Sequence, residues 1–282
     1  MTPDEHELLL KRAFEAYLSA RCLPSCRPGR PCLPYDVVNL AKLRRSFSAS
    51  LIEGELRELT NKLNAWLIAL QRWHAWQTVM LDHSEAECRE LEHEFVTPLA
   101  TYCLFQPSAL RDTITFVVTN GMHQVLMSID PTRLDRLPLD QDPWKKPSHP
   151  SRRKIEKQLA DIINRWTIGE TLLDTLRKLD DQHNRQATSH FRNRASHSIA
   201  PRFSIGFTRM VTRTVEKATR MESMGGGYFH CVPIPDKACV CYGIGGTKPL
   251  DLNHAREINE QQFDLAVACF EHYIDLLKAT TK

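Results

Sequence analysis

No apolar run in the chain approaches the ~18–20 residues that a membrane span needs, so a transmembrane protein is not expected. The start, Met1-Thr2-Pro3-Asp4-Glu5-His6-Glu7, carries acids where a signal or transit peptide would be basic, which argues against export. Glycine is scarce, at 11 of 282 residues. The clustered ones, Gly225-Gly226-Gly227 and Gly245-Gly246-Thr247-Lys248, fit neither a G-x4-G-K-[ST] loop nor a G-x-G-x-x-G that opens a helix. A phosphate-cradling loop is therefore missing, and these glycines read as hairpin ends or hinges. No Ser/His/Asp spacing, paired carboxylates or metal box stands out.

Cysteine is present but sparse and odd in number, at nine, without the dense framework of a small secreted domain. Reduced thiols and a cytoplasmic location follow. Cys22, Cys26 and Cys32 share a loop with Pro24, Pro28, Pro31 and Pro34, but the spacing C-x3-C-x5-C lacks a zinc knuckle and a nearby histidine. His230, Cys231, Cys239 and Cys241 form a second soft cluster, which reads as strand filling. Neither a metal nor a cofactor is expected.

With 42% hydrophobic and 25% charged residues, the chain suits one large globular domain or two small ones. Its texture is mainly helical. Thr2-Pro3-Asp4-Glu5 is a capping box with proline at the first helical position. From Ile52 to Met80, the residues Ile52, Leu56, Leu59, Leu63, Trp66, Leu70 and Trp73 keep a 4-3 spacing, the seam of a helix packed along a partner. Trp66, Trp73 and Trp76 are core by that spacing. Further helices are expected from Ser84-x-x-Glu87, with a kink or split at Pro98, and over 108–129. Prolines 131, 138, 143, 147 and 150 mark a linker or excursion. Helices resume near Ser151 and at the box Thr167-x-x-Glu170. After Pro201 the period shifts to two. Phe203, Ile205 and Phe207 alternate with polar residues, and 228–234 and 238–244 flank a turn at Pro235-Asp236. An amphipathic helix through Phe263, Val267, Phe270, Ile274 and Leu277 closes the chain. The expected fold is a helical bundle with a small antiparallel sheet near the C-terminus. Its divisions are 1–50 (helix and Pro/Cys-rich loop), 51–200 (bundle) and 201–282 (sheet and closing helix).

Charge is distributed unevenly. Between Gln182 and Met221, eight basic side chains (Arg185, Arg192, Arg194, Arg202, Arg209, Arg213, Lys217, Arg220) face one acid, Glu216. The whole chain is only +3, so the remainder is net acidic. A stretch rich in arginine suits bidentate contacts to phosphate, with nucleic acid the first partner to consider and a solvated face the plain alternative.

Within that stretch lies Arg192-Asn193-Arg194-Ala195-Ser196-His197. Loose Arg/His pairs such as Arg177–His183 and Arg185–His190 are expected by chance. Requiring asparagine directly after arginine lowers the chance expectation to roughly 0.03 in a chain of this composition. The motif resembles the Arg-Asn-x-x-x-His motif of HEPN ribonucleases, helical bundles that include toxins, antiphage-defence effectors and RNA-processing nucleases. The resemblance covers the motif and its helical context. It implies a metal-independent endoribonuclease in which the 2′-OH attacks the adjacent phosphate and leaves a 2′,3′-cyclic phosphate. His197 would move the proton, Arg192 clamp the phosphate, and Asn193 orient the histidine or hold an oxygen. Arg185, His190, Arg194, Arg202, Arg209 and Arg213 would bind RNA. Family members pair two motifs, so one strict copy implies a homodimer; toxins of this kind also meet a neutralising or regulatory protein. A catalytically silent HEPN-like module binding RNA or protein is the alternative. His183, His190 and His197, seven apart, further suggest that one helix carries a seam from Leu172, Leu176 and Leu179 through His183, Gln186, His190, Asn193 and His197. The opposing reading ends that helix at Asp180-Asp181-Gln182.

Overall fold

The 4-3 seam of the long apolar stretch dictates the centre of the molecule. Ile52, Leu59, Leu63, Trp66, Leu70 and Trp73 are all buried on α2 (Ser46–Met80) in the computed structural model, which describes residues 2–23, 31–40, 43, 46–142, 144, 146 and 149–280. Around α2 pack α4 (Thr97–Ile129) and α9 (Leu252–Thr280), whose apolar residues recur at helical spacing. One buried polar group links the three helices of this core. Trp66 Nε1 donates to Asn259 Oδ1 at 2.7 Å, and Asn259 Nδ2 donates to the Cys103 carbonyl at 3.0 Å, so one asparagine joins α2, α4 and α9. α1 (Pro3–Ala20) begins at the expected capping box. It docks through Tyr17, which stacks on Trp76 at 4.5 Å, while Trp76 stacks on Phe95 at 4.1 Å.

The other capping signals divide. Ser84 and Glu87 cap α3 (Glu85–Leu91) reciprocally. The chain then makes a π-turn at Glu92–Val96 and enters α4 with Pro98 in its first turn, where a missing N–H costs little. The expected split at Pro98 thus takes the form of a π-turn. Thr167 is the first residue of α6 (Thr167–Lys178) and not its cap; Trp166 holds that position without a side-chain bond. α5 (Arg152–Ile163) precedes it.

The single seam through the three histidines does not form. α6 ends at Lys178, α7 spans Gln182–Ala187 and α8 spans Phe191–His197. Asp180, Ser189 and His190 have φ of 53°, 49° and 55°. A left-handed residue cannot continue a right-handed helix, so the register breaks twice. Asp181 caps α7 by accepting from Asn184 N at 2.8 Å.

The sheet is a two-stranded antiparallel hairpin, β1 (Thr208–Gly225) with β2 (Tyr228–Thr247). Its turn lies at Gly225-Gly226-Gly227, not at Pro235-Asp236 as the sequence pattern suggested. The three glycines have φ of 83°, 61° and 84°, a run that only glycine adopts without strain. Pro235 and Asp236 instead fall in an irregularity where the register shifts between Lys217 and Thr219. Residues 203–207, where the alternation predicts a strand, form a loop joined by an isolated bridge from Phe203 to Leu250, beyond the end of β2. The chain divides into a helical unit, Met1–Arg192 with Leu252–Lys282, and a hairpin unit, Asn193–Asp251. No helix among the described residues is long and apolar enough to cross a membrane.

Candidate functional site

The turn before α7 is held by a buried carboxylate. Asp180 is 6% exposed and receives Arg152 Nη1 at 2.6 Å and Arg185 Nη2 at 2.9 Å, while its own N–H donates to Gln262 Oε1 at 2.7 Å. Burial alone would raise this carboxyl; the hydrogen bonds from Arg185 and Arg152 outweigh it and hold the group below its ordinary value. Nearby, Arg111 grips Glu156 with two bonds of 2.7 and 3.1 Å and donates to the buried Leu179 carbonyl at 2.7 Å, satisfying an open carbonyl at the C-terminal end of α6. Arg185, a candidate RNA ligand by sequence, is thereby a tie within the helical unit.

Asp180→Asn should lower stability by about 3 kcal/mol, because two guanidinium groups lose a desolvated partner. The sign with pH follows from the lowered pKa. The carboxylate's contribution is present above the unfolded value and disappears as pH falls through the folded one. Denaturant unfolding at pH 7 and in the acid range should therefore show the gap between the two proteins closing in acid.

α8 carries the motif. Phe191 at its start is buried and meets Phe105 of α4 edge-on at 6.3 Å. Arg194 is also engaged. Its Nη1 donates to Thr247 Oγ1 at 2.5 Å and its Nε to the Ile199 carbonyl at 3.0 Å, which closes the helix C-terminus against the base of the hairpin. Arg192, Asn193 and His197 differ from these neighbours. All three are exposed, and their side chains make no hydrogen bond or ion pair with another described residue. Asn193 and His197, four residues apart, share one face of α8, while Arg192 is offset from His197 by about 140° of helix rotation. The division of the chain falls between Arg192 and Asn193.

Of the remaining candidates, His190 is exposed in the left-handed turn before α8, and Arg202, Arg209 and Arg213 are exposed on the hairpin unit. His183 lies on α7, exposed.

Cys22 and Cys32 are exposed, and Cys26, with Pro24 and Pro28 of the same loop, lies outside the described residues. On β2, Cys239 Sγ lies 3.7 Å from Cys241 Sγ. Among the described residues, no three His, Cys, Asp or Glu come together as a metal site.

One concavity escaped the sequence pattern. A groove of about 500 Å³ in the helical unit is lined by Gly54, Glu55, Glu58, Leu59, Lys62, Asp112, Thr113, Phe116 and Val117. Burial raises the Glu55 carboxyl, against a 2.9 Å bond from Asn120. Lys62 donates to Thr113 at 3.0 Å and Asp112 is held by Arg152. Its carboxylates suit a phosphodiester poorly. No family model, curated protein or solved structure matches the chain.

Proposed function

We propose that the chain is a HEPN-like, metal-independent endoribonuclease, acting as a homodimer on cytoplasmic RNA as an effector of the toxin or antiphage-defence class. The observation that carries this reading is the contrast within one basic stretch. Arg185 and Arg194 are engaged by the fold, whereas Arg192, Asn193 and His197 stand exposed with no partner among the described residues. Polar groups left unengaged on an ordered helix are available to a ligand.

RNA supplies its own nucleophile. In this mechanism His197 accepts the 2′-OH proton as that oxygen attacks phosphorus, and the 5′-oxygen leaves with a proton in return. Arg192 neutralises the charge that builds on the phosphate oxygens. Asn193, on the His197 face, orients the imidazole or holds an oxygen. A second motif from a partner copy completes the site in a two-fold dimer, and a neutralising or regulatory protein would act by covering it. Arg202, Arg209 and Arg213 hold the flanking phosphates.

Total RNA incubated with the protein in EDTA should be cut, and the protein should sediment as a dimer. Cleavage that needs Mg²⁺ or Zn²⁺ would overturn the mechanism. A protein that binds RNA without cutting it under any condition would instead be the silent HEPN-like module.

A further inference from the structure

The hairpin has two unlike faces. Residues directly paired across an antiparallel ladder share a face, and the pairs alternate. One face carries Arg209/Gly246, Val211/Ile244, Arg213/Tyr242, Val215/Val240 and Lys217/Ala238. The other carries Met210/Gly245, Thr212/Gly243, Thr214/Cys241 and Glu216/Cys239. The glycines verify the assignment: a side chain at 243 would meet Thr212 Oγ1, and one at 246 would meet the ring of Phe207.

The first face is open. Ile244 is 90% exposed and Tyr242 67%, with Val211, Val215 and Phe207 also exposed. Isolated exposed apolar residues need no explanation, but a contiguous row on one face marks a contact surface. Three cations, Arg209, Arg213 and Lys217, occupy alternate places along it with no acid on that face, about 13 Å apart at ~3.3 Å per residue. Further out, Arg220 is paired with Glu222, so the uncompensated charge is confined to the half nearest the base.

The charge selects the occupant. A second copy laid face to face would bring six cations together, which opposes self-association there. A polyanion with exposed flat apolar groups matches both features. Unpaired bases stack on aromatic side chains, and their phosphates pair with arginine and lysine. A-form duplex RNA offers the phosphates but not the bases, which are stacked internally, and its major groove is too narrow to admit a ribbon.

We propose, on the reading that RNA is the substrate, that this face of the hairpin is a platform for single-stranded RNA, with Tyr242 as its stacking residue. The substrate class is thereby unpaired RNA. The platform belongs to the same unit as Asn193 and His197 and is tied to α8 through Arg194 and Thr247.

The test uses the full chain and a labelled 2′-O-methyl single strand of about 12 nucleotides, which cannot be cut, beside duplex RNA and duplex DNA of the same sequence. Anisotropy should show the single strand bound at least tenfold more tightly than either duplex. Tyr242→Ala should weaken single-strand binding about tenfold without altering its salt dependence, while Thr212→Ala on the opposite face changes nothing. Equal or tighter duplex binding, or no effect of Tyr242→Ala, overturns the proposal. A change in oligomeric state in place of RNA affinity would make the face a self-interface and overturn it too. Tyr242-dependent binding without any cleavage would sink the nuclease reading and leave this one standing. Cleavage of RNA whose binding ignores Tyr242 would do the reverse.

Discussion

His197→Ala should reduce RNA cleavage by about 10²–10⁴-fold, the contribution of a positioned acid–base group, and leave RNA affinity within about twofold. The two halves of this result have separate causes. Without the imidazole no group on α8 can take the 2′-OH proton, since a guanidinium has no acceptor site and amide and hydroxyl side chains are poor bases. Affinity persists because the cations of the hairpin unit and Arg192 supply the phosphate attraction. Folding should be unaffected: His197 is the exposed last residue of α8, and its side chain has no partner among the described residues. Thermal unfolding of the variant should match wild type, which separates loss of chemistry from loss of structure. An active His197→Ala protein would make the motif accidental.

Arg192→Ala should damage both turnover and binding, by about 10²–10³-fold in turnover if it is the group opposite the developing phosphate charge. A lysine at 192 restores the charge but not the planar two-point contact, so Arg192→Lys should recover most of the affinity and little of the rate. Arg209→Ala and Arg213→Ala set the comparison. Each removes one phosphate contact, flattens the salt dependence of binding by up to ~1 unit of slope, and leaves turnover at saturating RNA near wild type. A pattern in which all three arginines behave alike would assign Arg192 to a general basic surface.

The helical core was legible because its signals are local and repeated. The 4-3 seam of α2 needs nothing beyond periodicity, and all its named residues are buried. The two capping boxes that formed, at Thr2 and Ser84, pair a hydroxyl with a glutamate at the right offset just before helical periodicity begins. The third, at Thr167, has the same letters, but the helix starts one residue earlier in register. The histidine heptad failed for a different reason. Its spacing is compatible with a helix, yet the Asp180 turn is stabilised by Arg152 and Gln262, which lie 28 and 82 residues away. No local pattern encodes that tie. Likewise the hairpin turn lies elsewhere than expected because Pro235-Asp236 is a strong turn signal between two apolar runs. The triple glycine, able to take three left-handed positions in succession, closes a longer ladder.

At the site, the sequence supplied the residue types and the structure sorted them. Arg185, Arg192 and Arg194 look equivalent in a charge count. Only tertiary contacts distinguish Arg185 on a buried aspartate and Arg194 on Thr247 from Arg192, which has no such contact among the described residues. The apolar half of the hairpin face was hidden for a related reason. Its rows are built from residues about 30 positions apart, such as Arg213 with Tyr242, and the misplaced turn scrambled them.

The central claim is that the attacking group is the substrate's own 2′-OH. It is tested most directly on a short RNA containing one mapped cut site, compared with the same RNA bearing 2′-deoxyribose at that nucleotide alone, both in EDTA. The unmodified RNA should be cut to a 5′ fragment ending in a 2′,3′-cyclic phosphate, and the single deoxy substitution should abolish cutting at that site. Continued cutting at the deoxy position, or a 5′ fragment ending in a free 3′-OH, would contradict the mechanism.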